Sequence, residues 1–144
     1  MRKIVRWGVR VFLSYAHEDG PVAAALARQL AKAKVRVWYP AQDVSPGENW
    51  SLKIGEALEK ADAVIVLFSP NSAKSQWIQH EIEYALTSPR LEGRLIVVEV
   101  KPTKHMPWIL RKLQPIRLYE NSAKARKLLL SRVEHLARAP ANAS

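Results

Sequence analysis

The 144-residue chain predicts a doubly wound, five-stranded parallel α/β sheet with helices on both faces. Two observations carry this. Short apolar runs rich in β-branched residues alternate along the chain with segments whose apolar residues recur at helical spacing. The central run, Ala63-Val64-Ile65-Val66-Leu67-Phe68, has no polar alternation, as a strand covered on both faces requires.

Each element follows in order. Val9 to Tyr15 reads as the first strand, its end marked by Ser14. Ala16 to Gly20 is a polar loop in which Asp19 suits an N-cap, and Pro21 is tolerated in the first helical turn. Val22, Leu26, Leu30 and Ala33 mark the first helix. Val35 to Tyr39 is a short strand stopped by Pro40. Ala41 to Asn49 is a loop carrying the turn pair Pro46-Gly47. Trp50, Ile54, Ala57, Leu58 and Ala61 mark the second helix, and the Ala63–Phe68 strand follows. Ser69 to Ser72 is loop chemistry, and Ser72 and Ser75 are both candidate caps for the next helix. After a turn at Pro89 to Gly93 come a fourth strand, Leu95 to Val100, and an irregular stretch, Pro102 to Lys112, with one helical turn at Trp108-Ile109-Leu110. Ile116 to Leu118 is a short fifth strand. Ala125, Leu128, Leu129, Val133 and Leu136 mark the last helix. This succession implies the flavodoxin-like strand order 2-1-3-4-5.

In such sheets ligands bind beyond the carboxyl ends of the strands, where the strand order reverses. Ser14-Tyr15, the Pro40–Asn49 loop and the start of the helix after Ser75 all fall on that rim. With Ile78 at zero and about 100° per residue, Ile82, Ala85 and Leu86 form the buried stripe of that helix. Glu81 falls inside the edge of the stripe, Trp77 just beyond it, and Glu83 on the solvent side. A carboxylate turned toward a core needs a partner or a raised pKa. Trp77 and Glu81, four residues apart, can share one pocket wall. Periodicity alone leaves two readings of Glu81 open, a structural pairing or a functional acid.

Composition bounds the function. Hydrophobic residues make up 48% and charged residues 25%, ordinary values for one globular domain with a core of its own. The absence of cysteine excludes disulfides, thiolate catalysis and Cys-based zinc sites. His17, His80, His105 and His135 lack metal-ligand spacing, so no metal is expected. A Gly-rich phosphate loop, a dinucleotide fingerprint and a Gly-x-Ser-x-Gly elbow are all missing. The longest apolar run is too short to span a bilayer, and no signal-length apolar run follows the basic start, so the expectation is a cytoplasmic domain without membrane contact. Net charge is +10, and Lys101 to Ser144 holds ten Lys/Arg against Glu120 and Glu134. The basic residues of the last helix alternate with its apolar stripe as solvated surface charges do. They lack the aromatic interleaving of a specific nucleic-acid reader.

Four blocks resemble Toll/interleukin-1 receptor (TIR) domains of the bacterial type. They are Phe12-Leu13-Ser14-Tyr15 with His17-Glu18-Asp19, Val37-Trp38 with Pro46-Gly47-Glu48-Asn49-Trp50, Ala61-Asp62 into Val64 to Asn71, and Ser75-x-Trp77-x-x-x-Glu81. They occur in family order and spacing across roughly residues 9 to 119, and the pattern is specific as a set. The resemblance implies a TIR domain over residues 9 to 138. Residues 1 to 8 would be an extension, and 139 to 144 a frayed tail or the start of a linker to a further domain, such as a fused sensor.

The family holds two functional classes. Some members are adaptors or virulence effectors that act through TIR–TIR contact. Others cleave NAD at the nicotinamide–ribose bond, as glycohydrolases or ADP-ribosyl cyclases, often in antiphage defence. The resemblance implies the second class, with NAD as substrate and no cofactor. It makes Glu81 the catalytic residue and Ser14, Tyr15, Trp38, Asp43 and Trp77 candidate substrate contacts. It also makes Ser45, Pro46, Gly47, Glu48, Asn49 and Trp50 a self-association loop. Trp77 and Tyr15 are equally readable as core aromatics. One departure stands out. The family usually has an acidic residue two places after the second-strand aromatic; here that place is Pro40, and Asp43 is the next acid.

Overall fold

The structure is a computed structural model that describes residues 9–40 and 46–138. Asp43 and Ser45 of the candidate site, with residues 1–8 and 139–144, lie outside the described residues. Five parallel strands, β1 (Arg10–Ser14), β2 (Arg36–Trp38), β3 (Ala63–Phe68), β4 (Leu95–Glu99) and β5 (Ile116–Arg117), stand in the order β2-β1-β3-β4-β5. In register, Ser14 lies beside Val66, and Phe68 beside Glu99.

The alternation of side chains along each strand sorts the core into two layers. Val11 and Leu13 of β1, with Ile65 and Leu67 of β3, face α1 (Gly20–Lys32) and α6 (Ser122–Arg138). Phe12, Val64 and Val66 face α2 (Trp50–Lys60), α4 (Gln76–Thr87) and α5 (Trp108–Arg111). All six residues of β3 are buried, which is why that run shows no alternation. Arg94 is buried where β3 and β4 begin, and its guanidinium donates to the carbonyls of Asp62 and Leu136.

Local chemistry fixes several boundaries. Lys34 takes a φ of 70° after α1, and Val35 N–H donates to Leu30 O while Lys34 N–H donates to Ala31 O, a Schellman closure. Asn49 caps α2 by accepting from Leu52 N–H at 3.0 Å. Ser69 to Ser72, expected as a loop, instead enters a short helix α3 (Pro70–Ala73). Ser69 and Ser72 form its capping box, and Ser75 alone caps α4.

Four apolar expectations are corrected. Ala33 is exposed just past the end of α1, and Trp50 is 47% exposed at the start of α2. Leu86 is 39% exposed and Leu128 is 42% exposed. The buried set of α4 is Ile78, Glu81, Ile82 and Ala85, so its stripe is turned toward Glu81 and away from Leu86. On α6 the buried residues Ala125, Leu129 and Val133 leave Leu128 beside a fifth strand only two residues long, with no more sheet to cover it. No helix among the described residues is long and apolar enough to cross a membrane.

Candidate active site

The site is built where β1 ends. Ser14 follows Phe12 on the same side of the sheet, so its hydroxyl faces α4. Ser75 caps α4 and sets its first turn, which places Glu81 on the buried face one and a half turns later. The Ser14 hydroxyl donates to Glu81 Oε1 at 2.5 Å. Ser14 is 2% exposed and Glu81 5%. Burial pushes the Glu81 carboxyl up to about 7, against the opposing pull of the Ser14 hydroxyl and of the nearby Trp77 indole N–H. That N–H is itself buried and completes no hydrogen bond, so its effect is that of a close dipole and not of a formed bond. Glu83, two residues on, is exposed, as expected from the helical wheel.

Asp19 does not cap α1, contrary to expectation. Its Oδ2 accepts from the Ser69 hydroxyl at 2.5 Å, and its Oδ1 lies 3.4 Å from Asn71 Nδ2. The Ser69 oxygen meanwhile accepts the N–H groups of Asn71 and Ser72. Asp19 and Ser69 are both buried, and together they tie the loop after β1 to the exit of β3. Sequence reasoning missed this link. Its only trace was a polar residue in the segment that follows each of two neighbouring strands.

The other candidate residues divide. Trp77 stands beside Glu81, and its ring stacks obliquely on Trp50, with centroids 5.2 Å apart. Trp50 is 47% exposed and begins α2. Tyr15 turns to the opposite face of the sheet and packs near Tyr39, 6.3 Å away. Trp38 stacks on Phe12 at 5.2 Å and lines a cleft between β1, β2 and α2. Pro46 to Asn49 are exposed, Gly47 has a φ of 90°, and Glu48 pairs with Lys53 at 3.4 Å.

Two cavities flank Trp77. A cleft of about 730 Å³ on the rim is lined by Tyr15, His17, Pro40, Trp50, Asn71 and Lys74 as well as Trp77. Pro40, where the family usually carries an acid, is therefore on the cleft wall. A smaller cavity of about 230 Å³ lies between α2 and α4, and Glu81 lines this one and not the cleft. Trp77 is the wall common to both. Among the described residues no cluster of three His, Asp or Glu side chains could hold a metal.

Comparison with known proteins matches residues 11–130 to the TIR domain family model. The NAD(+) hydrolase TcpA of Theionarchaea archaeon (strain DG-70-1) is 32% identical over 91 residues, 62% of this chain and 27% of that protein. The 2' cyclic ADP-D-ribose synthase BtTIR of Bacteroides thetaiotaomicron is 27% identical over 90 residues, 62% of this chain and 31% of that protein. The chain thus spans under a third of the length of these curated relatives. Among solved structures, the TIR domain of the Toll-related receptor TRR-2 from Hydra magnipapillata superposes with a TM-score of 0.74 at 20% identity, covering 86% of this chain and 97% of that one.

Proposed function

This chain belongs to the TIR domain family, and we propose that it cleaves NAD at the nicotinamide–ribose bond with Glu81 as the catalytic residue. The observation that carries the reading is the buried carboxyl of Glu81, held by Ser14 at the carboxyl end of β1 and raised to about 7. Two relatives named for NAD hydrolysis and for cyclic ADP-ribose synthesis support it.

The chemistry asks for one carboxylate. As the C1′–N bond breaks, the bond pair leaves with nicotinamide as a neutral base, so its ring nitrogen needs no proton. The ribose becomes oxocarbenium-like, as in glycoside hydrolysis. Ionised Glu81, in a site of low dielectric, stabilises that cation or holds the ribose hydroxyls. Water attack at C1′ gives ADP-ribose and a proton. Attack by a hydroxyl of the ADP-ribosyl group gives a cyclic product and a proton. The 730 Å³ cleft receives the substrate, and displacement of the Trp77 ring brings it to Glu81. Activity rises with self-association through the Ser45–Trp50 stretch, in the setting of antiphage defence.

The separation of Glu81 from the cleft by Trp77 favours a second reading, a non-catalytic adaptor acting by TIR–TIR contact. One experiment decides between them. Pure protein is incubated at high concentration with NAD, and nicotinamide is measured. Release by the wild type and its loss in Glu81→Gln support the enzyme. No release at any concentration leaves the adaptor.

A further inference from the structure

The cleft beside Trp38 gathers charge that the fold does not neutralise. It lies between β1, β2 and α2, measures about 580 Å³, and shares no lining residue with either cavity beside Trp77. That volume is in the range of small-ligand sites. Arg10 and Arg36 are partners in the register of β1 and β2. Alternation along the strands puts both on the α2 side of the sheet, the side of Phe12 and Trp38. The backbones of two neighbouring strands are about 4.8 Å apart, and like charges side by side on them cost stability.

The surroundings do not offset that cost. Lys53 and Lys60 of α2 also line the cleft, against one acid, Glu56. Lys53 is paired with Glu48. Arg10, Arg36 and Lys60 enter no ion pair among the described residues. Asp62 accepts the backbone N–H of Arg10 at 2.9 Å and makes no ion pair with its guanidinium. Three unpaired cations from three elements thus converge on one concavity. A solvated surface normally intersperses its cations with acids.

The same cleft holds a ring. Trp38 is half-buried and stacks on Phe12, with centroids 5.2 Å apart and ring planes 14° apart. Guanidinium groups bind phosphate through paired N–H donors, and indole rings stack on nucleobases. Cations for phosphates beside a ring for a base are the complement of a nucleotide. Convergence into a cavity, and not spread over a flat face, suits a compact ligand better than a membrane or a duplex.

We propose that the cleft between β1, β2 and α2 binds a nucleoside polyphosphate, its phosphates held by Arg10, Arg36 and Lys60 and its base against Trp38. The site is separate from the cleft that receives NAD and does not depend on that reaction.

Titration of the ¹⁵N-labelled chain with ATP tests it. Saturable shifts are expected at the amides of Arg36, Val37, Ala57 and Lys60, with a Kd below about 1 mM. Tripolyphosphate, which has no base to stack, should bind at least fivefold more weakly. Arg36→Gln removes one of the two neighbouring like charges. It should weaken ATP at least fivefold while melting no lower than the wild type, a combination that a purely structural arginine would not give. Lys60→Gln should weaken ATP in the same direction. Shifts confined to His17, Asn71 and Lys74 on the rim would overturn the site. So would undiminished affinity in either variant, a lower melting temperature in Arg36→Gln, or no saturation up to about 10 mM. Equal affinity for tripolyphosphate and ATP would overturn the nucleotide as its ligand.

Discussion

Ser14 Oγ and Glu81 Oε1 stand 2.5 Å apart, joining the end of β1 to the middle of α4 across 67 positions of sequence. The hydroxyl donates to the carboxylate and so favours its charged form, while burial favours the neutral one. Burial wins, and the carboxyl titrates at about 7.

Removing the hydroxyl should push Glu81 further up. A hydrogen bond to a charged group is worth about 1.5–3 kcal/mol, or roughly one to two pH units. Ser14→Ala should therefore move the acidic limb of the pH–rate profile upward by about that much, with activity at pH 7 reduced and largely regained near pH 9. Ser14→Thr, which keeps a hydroxyl, should restore most of the wild-type profile. An unmoved limb in Ser14→Ala would show that the bond does not control the carboxyl.

The same group makes stability depend on pH. Its folded pKa of about 7 exceeds the unfolded value of 4.5, so the folded state binds more protons between the two. Stability from this group is full below pH 4.5 and is lost as pH rises through 7. The difference corresponds to at most about 3 kcal/mol. Glu81→Gln should thus gain stability in urea denaturation at pH 8 and gain none at pH 4. Glu83→Ala, on the exposed face, should change stability by less than about 0.5 kcal/mol at either pH.

The Asp19–Ser69 link should matter to the rim as well as to stability. Asp19→Ala leaves the Ser69 hydroxyl, which is fully buried, without its acceptor. A stranded buried donor costs about 1–3 kcal/mol, so a lower urea midpoint with unchanged m-value is expected. Asn71 loses a partner too, so amide exchange should quicken in α3. Equal midpoints would mean that water replaces the carboxylate as acceptor and that the link adds no net stability.

Gly47 and Pro46 bear on assembly. Gly47 sits at a φ of 90°, a conformation that costs a residue with a β-carbon about 1–2 kcal/mol. Gly47→Ala should reshape the turn without touching the core, because the residue is exposed and no atom lies within 4 Å of its side-chain position. Weaker self-association by light scattering is expected, with specific activity falling in parallel. Pro46→Ala should do the same more mildly through a freer turn. Activity per molecule that is constant over a hundredfold dilution and indifferent to both substitutions would refute an assembly role.

The sequence by itself determined the strand count, the strand order and the rim. An unbroken apolar run such as Ala63–Phe68 fits only a central strand, and alternating β and α segments fit only a parallel sheet. It also determined that Glu81 turns inward and Glu83 outward, because a helix repeats on a fixed angle. Only the tertiary structure decided what Glu81 meets. Ser14 is set beside Val66 by the pairing of β1 with β3, and a contact between residues 67 positions apart leaves no trace in local spacing. The same holds for Asp19, whose cap-like position was legible but whose bond to Ser69 required β1 and β3 to lie side by side. Leu86 and Leu128 show the limit of periodicity. A helical wheel gives relative angles between residues, but which angle faces the core is set by the neighbouring helix and by how far the sheet extends.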